Sequence, residues 1–129
     1  MTVFVDTSVL YAILDADDPS HEASRAEFAR LKATPLVSHS YVVLESVALV
    51  ERRLGRAAAR DLLKELIAQI QIVYIDDSIH GPAVSAYLSS AGPSLVDFTS
   101  FEVMRRTGIR TALAVDSDFR DAGFEVVPA

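Results

Sequence analysis

The chain has no cysteine, so disulfides, thiolate nucleophiles and Cys-ligated zinc are excluded at the outset. Its three histidines are dispersed, which argues against a His-rich metal site. Half the residues are hydrophobic, yet no apolar run approaches the roughly 18 needed to cross a bilayer. No basic segment with an apolar signal core precedes the first strand, so a cytoplasmic location away from membranes is the expectation. Positive charge is in deficit, with 12 Lys and Arg against 18 Asp and Glu and a formal charge of −6. That balance argues against holding nucleic acid by bulk electrostatics, which needs a Lys/Arg surplus. It leaves room for an enzyme acting on nucleic acid, because carboxylates that bind a divalent cation are partly neutralised by it. Linkers, repeats and low-complexity stretches are missing too. At 129 residues the length fits one domain, residues 1–129, with a single sizeable core.

What is present is a regular alternation of strand and helix patterns. The β-branched and aromatic run Thr2-Val3-Phe4-Val5 predicts a buried parallel strand that stops abruptly at Asp6-Thr7-Ser8. Helices are expected over 9–14 and 21–32, then a brief strand over 36–38. The segment 41–54 is so apolar that it reads as a helix buried all round. A further helix over 56–71 presents Leu62, Leu63, Leu66, Ile67 and Ile70 inward, and a strand follows over 72–75. Helices over 78–88 and 94–106, a strand over 111–115, a helical turn over 118–122 and a strand over 124–127 complete the chain. This order implies an α/β fold with a mostly parallel sheet covered on both faces.

Candidate chemistry lies in acids at the ends of these elements. Asp6 closes the first strand and Asp116 closes the strand over 111–115, and in open α/β sheets ligands bind beyond such carboxyl ends. Each is equally suited to capping the helix that follows it. Asp97 stands three residues after Ser94, the spacing of a capping box. Glu45 has Tyr41, Val42, Ala48 and Leu49 as its neighbours three and four residues away on a helix. A carboxylate on so apolar a patch needs a cation, a proton, a cleft or an arginine from elsewhere. If the four acids converge on one crevice they repel one another, and a hard divalent ion such as Mg²⁺ or Mn²⁺ relieves the conflict with oxygen ligands alone. The chemistry natural to that site is metal-assisted attack of water on a phosphodiester. A phosphotransfer domain also places aspartate at a strand end. The dehalogenase-like version wants an Asp two residues after its nucleophile, where this chain has Ser8.

Other polar residues have local explanations. Arg52 and Arg53 complement the negative end of their helix, and with Arg56 and Arg60 they form a basic cluster around Gly55 able to contact phosphate. His21, His39 and His80 read as loop or cap residues, with His39 nearest the acids. Phe28, Leu31, Tyr41, Leu62 and Leu66 either pack the core or leave an apolar groove for a partner helix.

Taken in order, Val5-Asp6-Thr7-Ser8-Val9-Leu10, Ser40 to Glu45, Ser94-Leu-Val-Asp97 with Phe101 and Met104, and Ala114 to Phe119 with Gly123-Phe124 resemble the PIN-domain nucleases. Within that family they resemble the VapC-type toxins of toxin–antitoxin pairs. The resemblance implies a three-layer α/β/α sandwich whose metal site is formed by Asp6, Glu45, Asp97 and Asp116. Asp118 is implied either as an optional ligand or as a residue behind the ligands, and Ser8 as a polar support. It further implies an Mg²⁺-dependent ribonuclease, with Mn²⁺ as substitute, an RNA substrate, a cognate antitoxin and a homodimer. The alternatives are a PIN-type nuclease that is not a toxin, and an RNA-binding module of the same fold that is catalytically silent.

Overall fold

The computed structural model describes all 129 residues. Its strands are β1 (Val3–Val5), β2 (Leu36–His39), β3 (Gln71–Val73), β4 (Thr111–Leu113) and β5 (Glu125–Val127). They form one sheet in the order β3-β2-β1-β4-β5, and every pairing is parallel. The Val-Phe-Val of β1 occupies the centre and is wholly buried. Burying each such side chain contributes roughly 1.5–3 kcal/mol, which is why this short run anchors the sheet. Phe4 pairs with Val37 on one side and Ala112 on the other, so the ends of β1 and β4 lie side by side.

Seven helices cover the sheet: α1 (Thr7–Leu14), α2 (His21–Arg30), α3 (Ser40–Leu54), α4 (Arg56–Asp61), α5 (Asp77–Leu88), α6 (Leu95–Thr107) and α7 (Asp118–Asp121). Right-handed crossovers from β1 through β2 to β3 place α1 to α4 over one face. Those from β3 to β4 and on to β5 place α5 to α7 over the other. The contacts of α1 with α2 and α3, and of α6 with α5 and α7, follow that division. The result is the expected α/β/α sandwich. Connections leave β1 and β4 in opposite directions, so the gap between them is the topological switch point of the sheet. None of the helices is long and apolar enough to cross a membrane.

Local chemistry sets the boundaries. Strands end earlier than the sequence pattern suggests because side chains take their backbone donors: Val115 N–H donates to Ser8 Oγ at 3.1 Å, and Ile75 N–H to Ser40 Oγ at 3.0 Å. Pro82 lies inside α5 and deprives the Ser78 carbonyl of its helical donor. Arg106 of α6 supplies one instead, from Nη2 at 2.5 Å. Gly108, in the left-handed region at φ 72°, stops α6.

Two helices depart from expectation. The segment after α4 widens into a π turn over Leu62–Leu66 and tightens into a 3₁₀ turn over Ile67–Gln69. Leu62 and Leu66 stay buried while Leu63 turns outward and is 44% exposed. The helix α3 is not buried all round. Val42, Ser46 and Val50 form one buried stripe, whereas Leu44 is 70% exposed and Glu45 faces solvent. One side of α3 meets the sheet and α1, and no further layer covers the opposite side.

Candidate active site

The site starts at the end of β1. Asp6 continues the ladder, its N–H donating to Leu113 O of β4 at 3.0 Å, and its side chain caps α1 by accepting from Ser8 N–H. The capping role and the strand-end position therefore coexist in one residue. Ser8 Oγ donates to Asp6 Oδ2 at 2.6 Å and accepts from Val115 N–H, so one hydroxyl ties the carboxylate to the end of β4. Oδ1 has no hydrogen-bond donor. Asp6 is only 3% exposed, and burial pushes its pKa up from 3.8 to about 7. The Ser8 hydroxyl pulls it down, and the charges of Asp116 and Asp97 raise it further.

Asp97 arrives from α6 on the other face. Ser94 Oγ accepts from Asp97 N–H and Asp97 Oδ2 accepts from Ser94 N–H, each at 3.1 Å, so the expected capping box is formed. The capping box occupies Oδ2 alone. Burial raises the Asp97 pKa to about 6, against the Ser94 hydrogen bonds, and the charges of Asp116 and Asp118 add to the rise. Asp116, on the loop after β4, has its pKa raised by desolvation first and by the Asp118 charge, while the Asp118 N–H bonded to its Oδ1 at 3.2 Å opposes this. That loop is pinned by Phe119, wholly buried with its ring centroid 5.9 Å from Phe4 and 5.1 Å from Phe101.

Glu45 stands apart from this set. It is exposed and pairs with none of the arginines or lysines. Its neighbour Ser46 is wholly buried, with Oγ 3.0 Å from Thr7 Oγ1, so α3 touches the chain beside Asp6 one residue away from Glu45. The expected convergence is looser than a formed cage: no three His, Asp or Glu side chains are gathered closely enough to hold a metal ion.

The PIN domain model matches residues 3–125. The chain belongs to the PIN-domain family. It is 34% identical over 130 residues to the 23S rRNA-specific endonuclease VapC20 of Mycobacterium tuberculosis, covering 98% of both chains. The crystal structure of that VapC20, described as a sarcin–ricin loop cleaving toxin, superposes with a TM-score of 0.87 at 30% identity over 95% of each chain. FitAcB of Neisseria gonorrhoeae shares the fold at a TM-score of 0.71 and 18% identity, over 98% of this chain and 96% of that one. VapBC2 of Rickettsia felis, bound to a DNA fragment from its promoter, shares it at 0.73 and 10%, over 98% and 97%.

The three histidines and Arg53 of this PIN domain have structural partners. His39 is buried, caps α3 through Nδ1 and reaches Ser100 Oγ from Nε2 at 2.8 Å. Burial lowers its pKa to about 4, which keeps it neutral. His21 Nδ1 meets Ala12 O at 2.8 Å and His80 Nδ1 meets Tyr41 OH at 2.8 Å. Arg53 lies over the Tyr11 ring at 5.4 Å. Of the residues considered for a groove, Leu31, Leu62 and Leu66 are core, and Phe28 and Tyr41 are half-buried. Sequence reasoning missed Thr7, Ser46 and Phe119 as positioning residues. A signal for Phe119 existed, an aromatic directly after the acid-bearing loop; Thr7 and Ser46 had none.

Proposed function

We propose that this chain is a divalent-metal-dependent endoribonuclease, the toxin of a toxin–antitoxin pair. The observation that carries the reading is Asp6, buried at the switch point with a strongly raised pKa and no cation beside it. An acid held out of water in that way favours either a proton or a metal ion. The donors fit a hard ion: they are oxygens only, and Asp6 Oδ1 and Asp97 Oδ1 are free of hydrogen bonds within the chain. Asp6, Asp97, Asp116 and Glu45 would hold Mg²⁺ or Mn²⁺, with Asp118 as a further ligand. When bound, the metal supplies an activated water and stabilises the leaving oxygen of the cut phosphodiester. Ser8 orients the Asp6 carboxylate, and buried Phe119 fixes the loop that presents Asp116 and Asp118.

The sarcin–ricin hairpin of 23S rRNA is the first substrate to try, since a relative of equal length is named for cutting it. A cognate antitoxin protein and a homodimer complete the proposal. The test is cleavage of 23S rRNA by purified protein with Mg²⁺ or Mn²⁺, its loss in EDTA, and its loss in Asp6→Asn by about a thousandfold. Equal cleavage by that variant would assign the activity to a contaminant. The open spacing of the acids favours one second reading, a silent RNA-binding module. RNA binding without calorimetric uptake of Mn²⁺ would select it.

A further inference from the structure

A cavity of about 290 Å³ adjoins Asp116 on the side of β5. It lies beyond the carboxyl end of β4, the edge of an α/β sheet where ligands bind. Ala23, Val126 and Pro128 line it, together with Asp116 and Arg120. The size suits one nucleotide unit and little more, being at the small end of ligand pockets.

Arg120 is the unusual wall. Asp116, Asp118 and Asp121 all lie within four residues of it, yet it forms no ion pair and no side-chain hydrogen bond. Local acids therefore leave its five donors free over the cavity. A guanidinium stays charged at all working pH and presents a fork matched to phosphate. In a chain of net charge −6 an RNA strand is repelled on approach to the acids, and a cation in the same cavity wall as Asp116 offsets part of that repulsion.

We propose that this cavity is a nucleotide subsite of the RNA strand, with Arg120 holding the phosphate next to the one that is cut. The assignment rests on the nuclease reading above, and its test separates the two. Binding is measured in the Asp6→Asn background, where cleavage does not interfere, with the sarcin–ricin hairpin and a scrambled hairpin of equal length as probes. Arg120→Ala raises Kd about tenfold for both hairpins, because a phosphate contact carries no sequence information. It also lowers the slope of log Kd against log salt by about one. Arg120→Lys recovers the slope and part of the affinity. Arg110→Ala, at the opposite end of β4, changes neither. In cleavage by the otherwise native protein, Arg120→Ala raises KM and leaves kcat. An unchanged Kd and slope in Arg120→Ala, or a fall in kcat at constant KM, would overturn the subsite. A wild-type protein that cuts no RNA would overturn the nuclease reading alone, since the binding comparison reads Arg120 regardless.

Discussion

Two regions of this PIN domain break the ordinary rule of burial in opposite directions. At the switch point a carboxylate is taken out of water, with Asp6 held by Ser8 and within reach of the charges of Asp116 and Asp97. Between α3, the turns that follow α4, and β3, an apolar groove of about 420 Å³ is left in water, walled by Val43, Leu44, Val47, Leu63, Ile67 and Ile72. Tyr74 at its edge is 79% exposed. Both regions use the first half of α3, whose Ser46 faces Thr7 while Leu44 faces the groove. Neither arrangement is what folding alone selects. Burying an acid costs free energy, and an exposed leucine forgoes roughly 1.5–3 kcal/mol of burial. The comparison teaches that the crevice is strained by charge and the groove is merely uncovered, and these respond differently to pH, metal and mutation.

The largest test of that difference is the pH dependence of stability without metal. The folded-state pKa of Asp6 lies near 7 against an ordinary 3.8, so the folded state binds this proton more tightly than the unfolded one. The contribution of Asp6 to stability is then greatest below about pH 4, falls as the pH rises towards 7, and levels off above it. Asp97, raised to about 6, contributes in the same direction over the lower part of that window. The loss is on the order of a few kcal/mol. Urea melts in EDTA at pH 5 and pH 8 measure it. Asp6→Asn removes most of the fall, and Mn²⁺ restores stability at pH 8. A protein equally stable at both pH values would show that the crevice is not strained.

A smaller effect sharpens the same side of the comparison. Ser8→Ala removes the hydroxyl that joins Asp6 to Val115 N–H and lowers stability by about 1 kcal/mol. It also raises the Asp6 pKa, because a hydrogen bond favouring the charged form is gone. The apparent pKa for metal binding, followed by calorimetry across pH 5 to 8, moves up with it. No movement would mean that Ser8 acts only on the fold.

The smallest effect belongs to the groove. Leu44→Ser leaves stability within about 0.5 kcal/mol, since the side chain is already in water. Cleavage is unchanged as well. A drop of several degrees in Tm would show that Leu44 belongs to the core and that the two regions differ less than their burial indicates.

The sequence by itself determined the order of elements and the acids at their ends. A β-branched run cut off by Asp6, a second by Asp116 and a capping spacing at Ser94 and Asp97 are all local signals, carried by neighbours in the chain. Backbone propensity and capping act over a few residues, and so they are legible there. The structure alone decided that β1 and β4 are adjacent, which makes Asp6 and Asp116 neighbours across 110 residues. It also decided that α3 has one wet apolar side, that Leu63 turns outward, and that Arg120 stays unpaired beside a cavity. Burial and charge coupling are properties of packed surfaces. A helix rich in Val and Leu carries no mark of which side a neighbour will cover, and that is settled only when the layers close.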